Sequence, residues 1–185
     1  MGENPRRNLP GAGRLIAFDS NLLIYSHRED SEFHAAAKEL VDSARQQGAA
    51  WAVPWPCIHE FIAIVTHPGI YKPASTLAEA FGFLDALFAS PQLHLLSESS
   101  GYFEKLRAVA AAARLRGPRI HDARIAALCL HHGVSELWSA DRDFSAFPQL
   151  KVINPMVRKD RFRRAEPRRR RDIERRQTRP RSLLK

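Results

Sequence analysis

Cysteine is scarce in this chain, and long apolar runs are absent. Cys57 and Cys129 are the only two cysteines among 185 residues. Both lie within apolar, helix-forming stretches, and neither has a partner at metal-ligand spacing. They read as buried thiols of a protein kept in a reducing, intracellular compartment, and they do not provide a thiolate metal site. No segment approaches the roughly 18 consecutive apolar residues of a membrane span. The opening MGENPRRNLPGAG carries basic residues but no apolar stretch behind them, so it does not read as a signal peptide. The expectation is a cytoplasmic protein with no membrane partner.

An excess of one charge is also missing from most of the chain, although the total is +9. Residues 157–185 hold 14 Lys and Arg against 4 Asp and Glu, a net of +10, which leaves −1 for residues 1–156. The basicity belongs to the tail and says nothing about a site in the remainder. The length suits one domain with a real core.

Three parts are expected. Residues 1–13, rich in Gly, Pro and Asn, form a leader expected to be disordered. Residues 14–157 form the folded domain. Residues 158–185 form a basic tail too poor in apolar residues to fold alone. Within the domain, Arg14 to Phe18 reads as a buried strand, followed by a helix through LLIY capped by Asp19 or Ser20. Ser31 to Gln47 is an amphipathic helix stopped by Gly48. Trp51 to Val53 is a strand, and Pro54 and Pro56 introduce the apolar helix CIHEFIAIVTH. Helices follow at Ser75 to Ala89, Ser99 to Arg116 and Ile120 to His132, the last with Gly133 at its end. Strands are expected at Leu93 to Leu96, at Leu137 and Trp138, and at Leu150 to Ile153. Strands alternating with helices at this spacing imply an α/β layer fold with a mostly parallel sheet.

Four acids stand where a purely structural role is awkward. Asp19 and Asp141 fall at the ends of strands, where parallel sheets place their functional crevice. Glu60 sits on an otherwise apolar helix, and a carboxylate on a buried face is costly unless something pairs it. Asp122 opens the helix DARIAALCLHH on the side of Ile125, Ala126 and Cys129. Each has an ordinary explanation. Asp19 and Asp122 could be N-caps, Asp141 and Asp143 turn residues, and Glu60 the partner of Arg119 or Arg124. If the acids converge, their repulsion must be relieved by protonation or by cations. An all-oxygen cluster suits Mg²⁺ or Mn²⁺ rather than Zn²⁺, and such ions support phosphodiester hydrolysis without a nucleophilic side chain. His59 and His121 point away from their acidic neighbours and could touch the rim of the site or a phosphate, or serve surface packing. His131 and His132 lie at a helix C-terminus, where a dipole contact suffices.

FDSNLLIY, the Glu of CIHEFIAIVTHP, HDARIAALCLHHG and SADRDFSAFPQLKVINP resemble, in order, the four acidic motifs of PIN domains. The nearest likeness is to VapC-type toxins of type II toxin–antitoxin systems, over roughly residues 14–155. The resemblance implies a three-layer α/β/α sandwich and a Mg²⁺- or Mn²⁺-dependent endoribonuclease. Its substrate would be transfer, ribosomal or messenger RNA, and a cognate antitoxin would neutralise it. Asp19 and Asp122 would be the principal metal ligands, with Glu60 and Asp141 completing the catalytic pocket. Asn21 would be a supporting contact and Asp143 an additional acid. A homodimer is also implied.

The leader and the tail depart from the family pattern. Arg168, Arg169, Arg170 and Arg171 within the tail are candidate RNA contacts, a neutral extension, or a dock for an acidic partner. Two other readings compete: a non-catalytic RNA-binding module acting through the tail, and a phosphatase using Asp19 as nucleophile. The haloacid-dehalogenase phosphatases, however, generally carry a second Asp where this chain has Asn21.

Overall fold

The computed structural model describes residues 14–46 and 48–157. The leader and the tail, with Arg168 to Arg171, lie outside the described residues. Five strands and six helices follow in the order β1 (Ile16–Phe18), α1 (Ser20–His27), α2 (His34–Gln46), β2 (Trp51–Pro54), α3 (Trp55–Val65), α4 (Leu77–Phe88), β3 (Leu93–Leu96), α5 (Tyr102–Ala112), α6 (Ile120–His131), β4 (Glu136–Trp138) and β5 (Val152–Ile153).

All strand pairs are parallel, in the spatial order β3-β2-β1-β4-β5. The chain builds outward from β1 through β2 to β3, then returns to place β4 on the other side of β1. Strand order therefore reverses between β1 and β4, which is where open α/β sheets form their crevice. Every residue of β2 is buried. A strand buried on both faces needs helices on both sides, so the apolar run WAV dictates a layered sandwich. Phe18 lies between Trp51 and Trp138, with ring centroids 5.2 and 5.4 Å away, and this aromatic row ties β2, β1 and β4 together.

Local chemistry sets the helix ends. Pro54 caps α3 and Pro56 occupies its first turn, where a missing N–H costs nothing. Gly48 and Gly133, expected as stops, have φ of +67° and +71°, a region that favours glycine. At α4 the helix starts two residues later than Ser75, because Thr76 and Glu79 form a capping box. α5 is shorter at both ends than the apolar pattern suggested, and β5 spans two residues rather than four. Leu150 is buried in the core without belonging to the strand.

Candidate active site

Asp19 is the residue immediately after β1, and its N–H donates to the Trp138 carbonyl of β4 at 3.1 Å. Its carboxylate is 3% exposed and accepts four hydrogen bonds. Oδ1 takes the Ser20 N–H at 2.8 Å and the Cys57 thiol at 3.5 Å. Oδ2 takes the Asn21 amide at 2.6 Å and the Ser139 hydroxyl at 2.5 Å. Asp19 is thus the N-cap of α1, as one ordinary reading held. That role uses only one of its four bonds.

Asn21 is a brace. Besides Asp19, its amide donates to Ser139 Oγ at 3.0 Å, and its Oδ1 accepts from the Ala140 N–H at 3.2 Å. The loop after β4 is thereby fastened to the start of α1. Ser139 is the centre of this network: it is buried, donates to Asp19, and accepts from Asn21 and from the Asp141 N–H at 3.0 Å. Sequence reasoning missed Ser139, and it also missed Ser20, whose hydroxyl donates to Glu60 Oε2 at 2.9 Å. Neither serine carries a motif of its own. The only signal was that each lies within two residues of a candidate acid.

Glu60 corrects an expectation. It faces solvent on an exposed position of α3, so burial on an apolar face is not what distinguishes it. It is not paired with Arg124 either, because that guanidinium is bound to Glu98 through contacts of 3.1 and 2.8 Å. Asp122 is half-buried in the first turn of α6, whose N-cap is Arg119, so it is not a cap. Asp141 is exposed and does act in a turn, accepting from the Asp143 N–H at 2.8 Å. Asp143 is exposed at the start of a short 3-10 turn, Asp143–Ala146.

Asp19, Glu60, Asp122 and Asp141 all line one cavity of about 410 Å³, together with Asn21 and Ser20. Asp143 does not line it. His59 and His121 are exposed and also stand outside the lining. His131 and His132 instead bond back to Ser99 Oγ at 2.7 Å and to the Ser97 carbonyl at 2.8 Å. Cys57 and Cys129 are free and buried as expected, and burial pushes both thiols up from their ordinary range.

The acids sense one another. Burial, opposed by its hydrogen bonds and reinforced by Glu60, raises Asp19 from 3.8 to about 6. Asp122 is raised first by burial, then by Asp141 and Asp143, with Arg119 opposing. A pocket in which two carboxyls resist ionisation is one that a cation would relieve. The donors are all oxygens, the chemistry that Mg²⁺ and Mn²⁺ prefer. Among the described residues, however, no three His, Cys, Asp or Glu side chains already stand close enough together to hold a metal ion. The acids share a cavity rather than a preformed cage.

Comparison with known proteins agrees with this fold. The PIN domain pattern matches residues 16–150. The chain is 29% identical over 138 residues to the ribonuclease VapC48 of Mycobacterium tuberculosis, covering 75% of this chain and 95% of that protein. It is 30% identical over 143 residues to the ribonuclease VapC31 of the same species, covering 76% and 99%. The fold superposes with a TM-score of 0.54, at 13% identity, on VapBC2 of Rickettsia felis bound to a promoter DNA fragment, covering 75% of this chain and 97% of that one. With the pattern running from the first strand almost to the last, and a 30% identical relative spanned nearly whole, the chain belongs to the PIN-domain family.

Proposed function

We propose that this PIN-domain protein is a Mg²⁺- or Mn²⁺-dependent endoribonuclease of the VapC toxin type, held in check by a cognate antitoxin. One observation carries the reading: four acids from four separate segments line a single cavity where strand order reverses. The ribonuclease names of its relatives VapC48 and VapC31 support RNA as the substrate. The VapBC2 assembly supports an antitoxin partner.

Asp19 and Asp122 are the residues that would hold the ion, with Glu60 and Asp141 completing the set. A bound ion supplies Lewis-acid stabilisation of phosphoryl oxygens and a more acidic water. The chain's own contribution is placement. Asp19 cannot swing, because Ser20, Asn21, Ser139 and Cys57 fix both its oxygens. Glu60 is aimed by the Ser20 hydroxyl. Glu60 and Asp141 are the exposed members of the set, so they are the ones that meet solvent and can orient a water. The phosphatase reading is disfavoured by Asn21, which stands where the haloacid-dehalogenase phosphatases generally carry a second Asp.

The test is cleavage of purified cellular RNA by the full chain with Mg²⁺ or Mn²⁺, in parallel with Asp19→Ala and Asp122→Ala. Activity should disappear in both variants and in EDTA, and the products should carry 5′ phosphates. Undiminished cleavage by both variants in clean preparations would sink the proposal. A chain lacking residues 158–185 should still cleave, whereas an RNA-binding module working through the tail would lose its function. Cytoplasmic residence and a homodimer are part of the same proposal. Among the described residues, no helix is long and apolar enough to cross a membrane.

A further inference from the structure

The cavity has two chemistries, and hydrolysis uses only one of them. Besides the acids, Ile24, Ile64, Tyr25 and Tyr71 give the lining an apolar and aromatic part. The isoleucines and the ring faces offer nothing to a metal ion, and of this part only the two tyrosine hydroxyls could serve a phosphate. Tyr71 differs from the others in how it is held. The Arg28 guanidinium lies over its ring, 4.1 Å from the centroid. Arg28 in turn makes four hydrogen bonds: Nε and Nη2 donate to the two Asp30 carboxylate oxygens at 2.9 and 2.7 Å, and Nη1 donates to the Pro73 carbonyl at 3.1 Å and to Ser75 Oγ at 3.2 Å. The Tyr71 N–H donates to the His67 carbonyl at 3.1 Å. With four of its five donors already bonded within the protein and its side chain 11% exposed, Arg28 has little left to grip a phosphate. What it does is hold the Tyr71 ring in one orientation beside the acids.

From this we infer that Tyr71 is a stacking platform for the nucleobase adjoining the scissile phosphate. The inference rests on the nuclease reading above and deepens it. In RNA each phosphate has a base one ribose away, and a fixed aromatic ring at the pocket wall gives that base a face to stack on. Tyr71 is therefore a specificity-determining residue and takes no part in bond breaking.

The experiment compares the full chain with Tyr71→Ala, Tyr71→Leu and Tyr71→Phe on a short single-stranded RNA containing the mapped cut site. A second version of that RNA carries an abasic ribose at the nucleotide beside the cut. Stacking on one base is expected to be worth a factor on the order of 10 in KM, with kcat little changed. The wild type and Tyr71→Phe should prefer the intact RNA by that factor. Tyr71→Ala and Tyr71→Leu should treat the two RNAs alike, which a merely structural role for the ring would not produce. Tyr71→Leu keeps apolar bulk, so a folding defect in the Ala variant does not decide the matter. An active wild type whose preference for the intact RNA survives in Tyr71→Leu overturns the platform alone. A wild type that cleaves neither RNA overturns the nuclease reading and the platform with it.

Discussion

The two edges of the β1–β4 ladder each bury a carboxylate, and they treat it in opposite ways. At the N-terminal edge, Glu136 is 1% exposed. It meets Lys151 at 2.6 Å, forms an ion pair with Arg14, and accepts from Trp138 Nε1 at 3.2 Å. Burial would raise it, but Lys151, Arg14 and Trp138 outweigh burial and leave it below its ordinary value. At the C-terminal edge, Asp19 is equally buried but faces neutral donors and other acids, and it is raised to about 6. A carboxylate given its own cations is a structural staple. One given only neutral donors and acidic neighbours is kept ready for a cation from outside. The comparison separates a buried charge that serves the fold from one that strains it.

That contrast can be broken most decisively at the C-terminal edge, where the proposed active site lies. Asp19→Ala or Asp122→Ala should lower RNA cleavage by about three orders of magnitude, while circular dichroism and the cooperative melt persist. A variant that keeps a tenth of the activity would remove its acid from the centre of the chemistry.

The next effect is a pH dependence of opposite sign at the two edges. In EDTA, folded Asp19 holds its proton up to about 6, against 3.8 for an ordinary Asp. Its contribution is complete below about pH 4 and is lost as pH rises through about 6. Relative to Asp19→Asn, the metal-free wild type should therefore lose about 3 kcal/mol of stability across that window, as read from urea melts. Mn²⁺ should flatten the slope. Glu136, being lowered, contributes stability above its ordinary value and loses it as pH falls. A stability difference that stays flat from pH 4 to 7 would show that Asp19 ionises without strain.

Ser139→Ala tests the brace. It removes one hydroxyl from Asp19 and the acceptor for the Asp141 N–H, and groups that aim a ligand are typically worth about 10- to 100-fold in activity. Ser139→Thr, which keeps the hydroxyl, should restore most of the rate. The smallest effect belongs to the structural edge. Glu136→Gln should cost about 1–2 kcal/mol at neutral pH, with kcat unchanged. A drop in kcat there would mean that the two edges are coupled and that the contrast is too simple.

Much of this was legible in the sequence because it depends on local pattern. The apolar run before Asp19, the prolines before α3 and the glycines after α2 and α6 specify strands, starts and stops through backbone sterics alone. The acids could be named from their places at strand ends and helix starts. Glu60 shows the limit. A helix that is apolar nearly all round looked buried all round, yet the position of α3 turns Glu60, together with Ile64, toward the cavity. Asp122 looked equally like a cap or a ligand until the N-cap position of α6 was seen to belong to Arg119.

By itself, then, the sequence determined the element order, the parallel α/β class, the four principal acids and the split between a neutral domain and a basic tail. These follow from periodicity, turn chemistry and charge, which act over a few residues. Only the tertiary structure decided that the acids share one cavity, since Asp19 and Ser139 are 120 positions apart and meet through the β1–β4 pairing. It also decided that Glu136 is neutralised while Asp19 is not. Which charge finds a partner depends on what the fold brings within reach, and no local pattern encodes that.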